Sequence, residues 1–184
     1  MITSLVGLEL FIAFFLLNVF YPVPVQKVEK FFMEQVCDQG ARHYEYSTGP
    51  MTFAQFYEIK KDLNELNTKI GFELFKYNSQ SPNKVNVLTK LQNISVMGET
   101  IGLTHCVDIC CGKNEFTIEF SESQFTNPLR AKMLIWHEFG HVIGLIHDDG
   151  GKQIMNTYAF SPLDYTPEME QSYLSELKHR MDLK

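Results

Sequence analysis

The stretch HEFGHVIGLIHD, from His137 to Asp148, limits what this chain can fold into more than any other feature. It closes a longer run, NPLRAKMLIWHEFGHVIGL, that reads as a helix from Pro128 to Leu145. Asn127 is placed to cap it, and Pro128 takes the first helical position, where a missing N–H costs nothing. On a helix of about 3.6 residues per turn, His137 and His141 stand one turn apart on one face, so both imidazoles reach a single tetrahedral metal. Glu138 is offset around the helix and reaches a metal-bound water without being a ligand. A third ligand is still needed. His147 supplies it only if the helix stops, because on a continuing helix it points well away from the other two. Gly144 is the residue that stops it, since without a Cβ it enters the left-handed conformation that turns a chain back. The pattern HExxHxxGxxH therefore specifies a three-histidine site for one catalytic Zn2+ with an open fourth position. Reading the same residues as buried core histidines and an ordinary helix-ending glycine requires a separate reason for each, whereas the metal site accounts for all of them and their spacing.

The rest of the composition is compatible with one globular domain around such a site. A chain of 184 residues, 45% hydrophobic and with 15 Phe, can offset its ordering entropy by burying apolar surface, and is too short for two ordinary domains. A formal net charge of −6 and no dense basic stripe argue against a nucleic-acid partner, which Lys and Arg would have to hold by displacing counterions. The cysteines, Cys37, Cys106, Cys110 and Cys111, allow disulfides if the chain leaves the reducing cytosol. No Cys-x-x-Cys or Cys/His finger spacing occurs, so a structural cysteine-type zinc site is not expected. His43, His105 and His179 have no partner at ligand spacing.

Residues 1–25 form a targeting segment, nearly all apolar from Leu5 to Val25 with one charge at Glu9. It fits either an uncleaved membrane anchor or a signal peptide. No basic residue precedes the apolar core and large residues follow it, which opposes cleavage, while the length just satisfies a span. Lys27 and Lys30 on the downstream side bias against export, though only slightly. Residues 26–42 read as a connector or short pro-segment, and the folded domain is expected over 43–184. There HYEYS is a short strand, and Thr48-Gly49-Pro50 a turn. Thr52 caps a long helix with Phe53, Phe56, Tyr57, Lys60, Leu63 and Leu66 at helical spacing, ending near Lys69 before Gly71. GFELFKY and KVNVLTK are strands, and Asn114–Ser121 is a third with Phe116, Ile118 and Phe120 on one face. Asn93–Lys113 reads as loop and irregular strand. A final helix spans Pro167–Met181, with Met169, Tyr173, Leu174, Leu177 and Met181 on one side.

HEFGHVIGLIHD resembles the metzincin zinc signature, followed by an acidic residue. That family also carries a methionine in a tight turn beneath the zinc, and Met155 in KQIMNTYAF fits it. The short connection from His147 to Met155 resembles the matrixin-like branch and small microbial relatives more than the adamalysins. The order of elements agrees with that branch from about His43 onward. The resemblance implies an α+β fold: a twisted mixed sheet with a long early helix, an active-site helix and a C-terminal helix. It implies His137, His141 and His147 as zinc ligands and Glu138 as general base and acid, with Gly144, Met155 and Asp148 in support. Asp148 is equally placed to bond the methionine turn or to form a solvated turn with Asp149-Gly150-Gly151. Astacin-like and serralysin-like members place a tyrosine two residues after the methionine. Here Thr157 holds that position and Tyr158 follows, which puts Tyr158 in the substrate pocket or, alternatively, at the zinc. The matrixin zymogen motif PRCGxPD is absent, and Cys37 is the one cysteine ahead of the domain that could block a zinc as thiolate.

The expected activity is that of a zinc-dependent metalloendopeptidase, secreted or membrane-anchored through residues 5–25, with its catalytic domain outside the cytoplasm. Peptide bonds would be hydrolysed by a zinc-bound water activated by Glu138. The polypeptide substrate would lie as an extended strand along the edge of Asn114–Ser121. The rival readings are a membrane-anchored zinc-containing binding module without turnover and an amidase acting on a non-protein amide.

Overall fold

The computed structural model describes residues 43–91, 100–107, 115–148, 150, 153–157 and 165–181. The expected targeting segment 1–25 and the expected connector or short pro-segment 26–42 lie outside the described residues. Among those described, no helix is long and apolar enough to cross a membrane.

Strand β1 (Tyr44–Thr48) is followed by helix α1 (Phe53–Ile70), which begins with a reciprocal cap. Thr52 Oγ1 accepts from Gln55 N at 3.3 Å, and Gln55 Oε1 accepts from Thr52 N at 2.8 Å, so donors left orphaned at the first turn are satisfied by side chains. Gly71, at φ 93°, ends the helix in the left-handed region. Asn67 then ties the helix to strand β2 (Phe75–Tyr77): its Oδ1 accepts from Leu74 N and Phe75 N, and its Nδ2 donates to Phe75 O. Gly71, Phe72 and Glu73 belong to this exit from the helix, so the strand expected over GFELFKY is reduced to its last residues. Strand β3 (Lys84–Leu88), β4 (Gly102–Val107) and β5 (Glu115–Ser121) complete the described sheet.

Its order is β2-β1-β3-β5-β4. The β1–β2, β1–β3 and β3–β5 pairs are parallel and β4–β5 is antiparallel, so the sheet is mixed, as expected. This order corrects one expectation. Asn114–Ser121 was to offer a free edge, but Glu115–Ser121 is paired on both sides, with β3 and with β4. The alternation of Phe116, Ile118 and Phe120, all buried, with Thr117 and Glu119 does mark a strand; alternation does not say where in a sheet the strand lies. The edge strands of the described sheet are β2 and β4, the latter in the stretch read as loop and irregular strand. Cys106 on that strand is disulfide-bonded.

After a 3-10 turn at Glu122–Thr126 comes α2 (Pro128–Val142), capped by Asn127, whose Oδ1 accepts from Leu129 N and Arg130 N. Helix α3 (Pro167–Arg180) follows, capped by Thr166. The core lies between sheet and helices, with Trp136, Tyr46, Phe120, Phe139 and Leu66 fully enclosed. Trp136 joins all three helices: its Nε1 donates to Asp62 O at 3.0 Å, its carbonyl accepts from Tyr173 Oη at 2.6 Å, and its ring stacks on that of Tyr173. The residue just before the first histidine is thus pinned from both sides.

The inward face of α1 differs from the stripe read in the sequence. Leu63 and Leu66 are buried as expected, together with Ile59 and Ile70, but Phe53 and Tyr57 are 81% and 59% exposed. The early aromatics instead turn outward, where Phe56 meets the ring of Tyr77 edge-on.

The same face buries Asp62, which is 1% exposed. Neither carboxylate oxygen accepts a hydrogen bond among the described residues; the Lys61 ammonium lies 3.4 Å from Oδ1, too oblique to satisfy it. Burial pushes the Asp62 carboxyl up to about 6, against the partial pull of Lys61. A carboxyl whose folded pKa is raised costs nothing below the unfolded value, and its destabilisation grows from there until it is complete above about pH 6. Asp62→Asn is therefore expected to gain about 1–2 kcal/mol at pH 8, a gain that shrinks to nothing by about pH 4. Denaturant unfolding of both proteins at the two pH values checks this, and a pH-independent difference would refute it.

Candidate metal centre

Helix α2 carries the site because its last turn is locked. Gly144 stands at φ 84°, its N–H donates to His141 O at 3.0 Å, and Leu145 N donates to Gly140 O at 3.0 Å. This pair of bonds is the Schellman ending that a left-handed glycine makes possible. The helix thus closes at Val142, three residues before the expected end, and Gly144 reverses the chain so that His147 returns to the helix. Arg180 of α3 lies over the turn: a Cβ at position 144 would stand 2.8 Å from its guanidinium.

The three imidazoles converge. His141 Nε2 lies 3.1 Å from His137 Nε2 and 3.2 Å from His147 Nε2, and the third side of the triangle is 3.3 Å. His137 Nδ1 is 2.8 Å from Ile154 O, and His141 Nδ1 is 2.8 Å from Leu145 O. A carbonyl oxygen can only accept, so both Nδ1 atoms carry the proton. Desolvation keeps the rings neutral, holding His137 down at about 4 and His141 well below the ordinary imidazole value. The Nε2 atoms of His137 and His141 are therefore two bare lone pairs 3.1 Å apart. Lone pairs at that range repel unless a cation lies between them. Four-coordinate zinc, with Zn–N bonds of about 2.0–2.1 Å, sets its nitrogen donors about 3.3–3.4 Å apart, close to the observed triangle. His137, His141 and His147 could hold a metal ion, and they are the one such group of His, Cys, Asp and Glu among the described residues.

The methionine turn lies against α2. Asn156 N donates to Gln153 O at 3.2 Å, closing a tight turn that contains Ile154 and the buried Met155. A Cβ on Gly140 would come within 2.7 Å of Met155 Sδ, so this glycine, between the first two histidines, allows close packing. The same turn presents the Ile154 carbonyl that orients His137. Asp148 meets the methionine turn through its backbone, as any residue there would, and uses its carboxylate only in the local turn. Its backbone N–H donates to Met155 O at 2.8 Å, while its carboxylate accepts from Gly150 N at 2.8 Å in a local turn. Thr157 is exposed, and Tyr158 lies outside the described residues.

Glu138 is 4% exposed, beside the trio. Burial raises its carboxyl to about 7, opposed by a hydrogen bond from Thr104 Oγ1 to Oε2 at 2.7 Å. A nearby dication would favour the ionised form and pull the value back down. Thr104 and Gly102 on β4, Gly140, Arg180 and the Ile154 and Leu145 carbonyls are site components that the sequence did not single out. Of these, only Gly140 had a local signal, a glycine inside a helix, where it is normally unfavourable.

Fold and site together define a mixed α/β domain with a histidine trio that could hold a metal ion and a buried carboxylate on the same helix as two of its members. Compared with known proteins, the chain matches no family model and no curated protein. Among solved structures it is similar to an archaemetzincin from Methanopyrus kandleri, with TM-score 0.54 and 10% sequence identity, covering 77% of this chain and 97% of that one. The likeness is one of fold. The matrixin branch, suggested by the short His147–Met155 connection, draws no support from it.

Proposed function

We propose that the protein is a zinc-dependent metalloendopeptidase, with His137, His141 and His147 holding one catalytic Zn2+ and Glu138 as general base and acid. The observation that carries this reading is the convergence of three imidazole Nε2 atoms within 3.1–3.3 Å, next to a buried carboxylate. A purely structural zinc site has no use for that carboxylate and closes its fourth position with another ligand. When bound, zinc supplies Lewis-acid polarisation of the scissile carbonyl and acidifies a water. Glu138 takes the proton at its carboxylate and delivers it to the leaving amine. A buried carboxyl group beside the scissile bond can do both in turn, as acceptor when ionised and as donor when protonated. The rings of His137 and His141 are fixed through their Nδ1–H bonds to Ile154 O and Leu145 O.

The substrate is a polypeptide lying as an extended strand along β4. Among the described residues β4 pairs only with β5, and its Thr104 touches Glu138, so a strand added there runs past the base. A catalytic domain outside the cytoplasm, secreted or anchored through residues 5–25, agrees with the disulfide at Cys106.

The test is to measure bound zinc and the cleavage of an unfolded protein, with and without Glu138→Ala. The variant is expected to retain zinc and lose about 10²–10⁴-fold in kcat. A zinc-loaded wild-type protein that cleaves nothing in a broad peptide library would defeat the reading.

A further inference from the structure

Two residues of the edge strand β4, Gly102 and Thr104, lie two apart and so on one face of it. Both meet the side chain of Glu138. Thr104 Oγ1 donates to Glu138 Oε2 at 2.7 Å and is also 3.0 Å from Glu138 O. At Gly102 an added Cβ would stand 2.3 Å from Glu138 Oε1 and 2.8 Å from Leu134 Cδ1. The carboxylate is therefore held between a hydroxyl and a bare piece of backbone, and a larger residue at 102 would push it off this position.

We infer that Thr104 is the positioning residue for Glu138, fixing the orientation of its carboxylate beside the histidine trio in room that Gly102 leaves. The inference rests on the peptidase reading for its catalytic meaning, though the contact itself does not. A long, buried side chain with several rotors is a poor base unless something fixes its rotamer, and misplacement by about 1 Å can cost on the order of 100-fold in rate. The Thr104 hydroxyl donates to Oε2 and also lies within reach of Glu138 O, so one side chain ties the carboxylate to the backbone of its own residue. Valine has nearly the same shape and no hydrogen to donate.

The experiment compares Thr104→Val, Thr104→Ala and Thr104→Ser in the full-length zinc-loaded protein. It reads kcat and KM on an unfolded protein, bound zinc, and the calorimetric affinity for acetohydroxamate. This probe chelates zinc and offers a hydrogen bond to an adjacent carboxylate. Val and Ala are expected to lower kcat about 10–100-fold and to weaken acetohydroxamate about tenfold, with KM and zinc content within about twofold of wild type. Ser should restore both to within about threefold. Wild-type kcat and acetohydroxamate affinity in Val and Ala would overturn the inference, as would a loss that Ser does not rescue. If Val alone fails to fold, Ala decides. If the wild-type protein hydrolyses nothing, the peptidase reading falls, while the acetohydroxamate series still decides the role of Thr104.

Discussion

Loading with zinc is expected to raise the thermal midpoint by about 10 °C, and His147→Ala to abolish that rise. A ligand that binds only the folded state stabilises by RT ln(1 + [L]/Kd), about 4 kcal/mol when free zinc is a thousandfold above Kd. For a domain of this size each kcal/mol moves the midpoint by about 2–4 °C. The Nε2 atoms of His137 and His141 stand 3.1 Å apart and that of His147 within 3.3 Å of His137, close to the spacing of nitrogen donors around one zinc, so the folded chain presents the ligands already gathered. Removing His147 leaves two ligands on a helix. Loss of a mere supporting partner of a ligand costs about 10–100-fold in affinity, so loss of a ligand itself should exceed that, and hydrolysis should go with it. Thermal unfolding of both proteins, with zinc and with a chelator, measures all four states. A wild-type protein shown to carry zinc whose midpoint is unmoved by chelation would contradict this account, as would a His147→Ala variant that binds zinc as tightly as wild type.

Gly144→Val should damage the site almost as severely, although residue 144 touches no metal. At φ 84° a β-branched side chain is strained, and the new Cβ would also meet the Arg180 guanidinium at 2.8 Å. The guanidinium is the end of a flexible side chain and can move; the backbone has no such escape. Relaxing φ toward the helical region would break the bonds from Gly144 N to His141 O and from Leu145 N to Gly140 O. Leu145 would then no longer place its carbonyl on His141 Nδ1, and His147 would leave the trio. Destabilisation of about 2–3 kcal/mol is expected, with zinc affinity down at least tenfold. Gly144→Asn, whose side chain tolerates the left-handed region, should lose much less of both. Equal losses for Asn and Val would mean that space beneath Arg180, not the backbone angle, is what position 144 requires.

Most of the candidate site was legible along the chain because its geometry is local. Helical pitch puts His137 and His141 on one face, a glycine at the right distance reverses the chain to bring in His147, and a short connection leaves room for a methionine turn. The caps at Thr52 and Asn127 and the last helix were legible for the same reason, since each depends on neighbours a few residues away. Two readings failed where distant partners decide. The aromatics Phe53 and Tyr57 have helical spacing yet face outward, because the side of α1 that packs is set by where α2 and the sheet lie. The strand Glu115–Ser121 was recognised but misplaced at an edge.

By its sequence alone this protein determined a helix, a stop and a convergent set of donors, since bond geometry over a turn or two leaves them no other arrangement. Tertiary structure alone decided that β4 lies at one edge of the described sheet, that Thr104 and Gly102 meet Glu138, and that Arg180 covers the Gly144 turn. Those contacts join residues more than thirty positions apart, and which of them form depends on sheet order and helix docking, which no local spacing encodes.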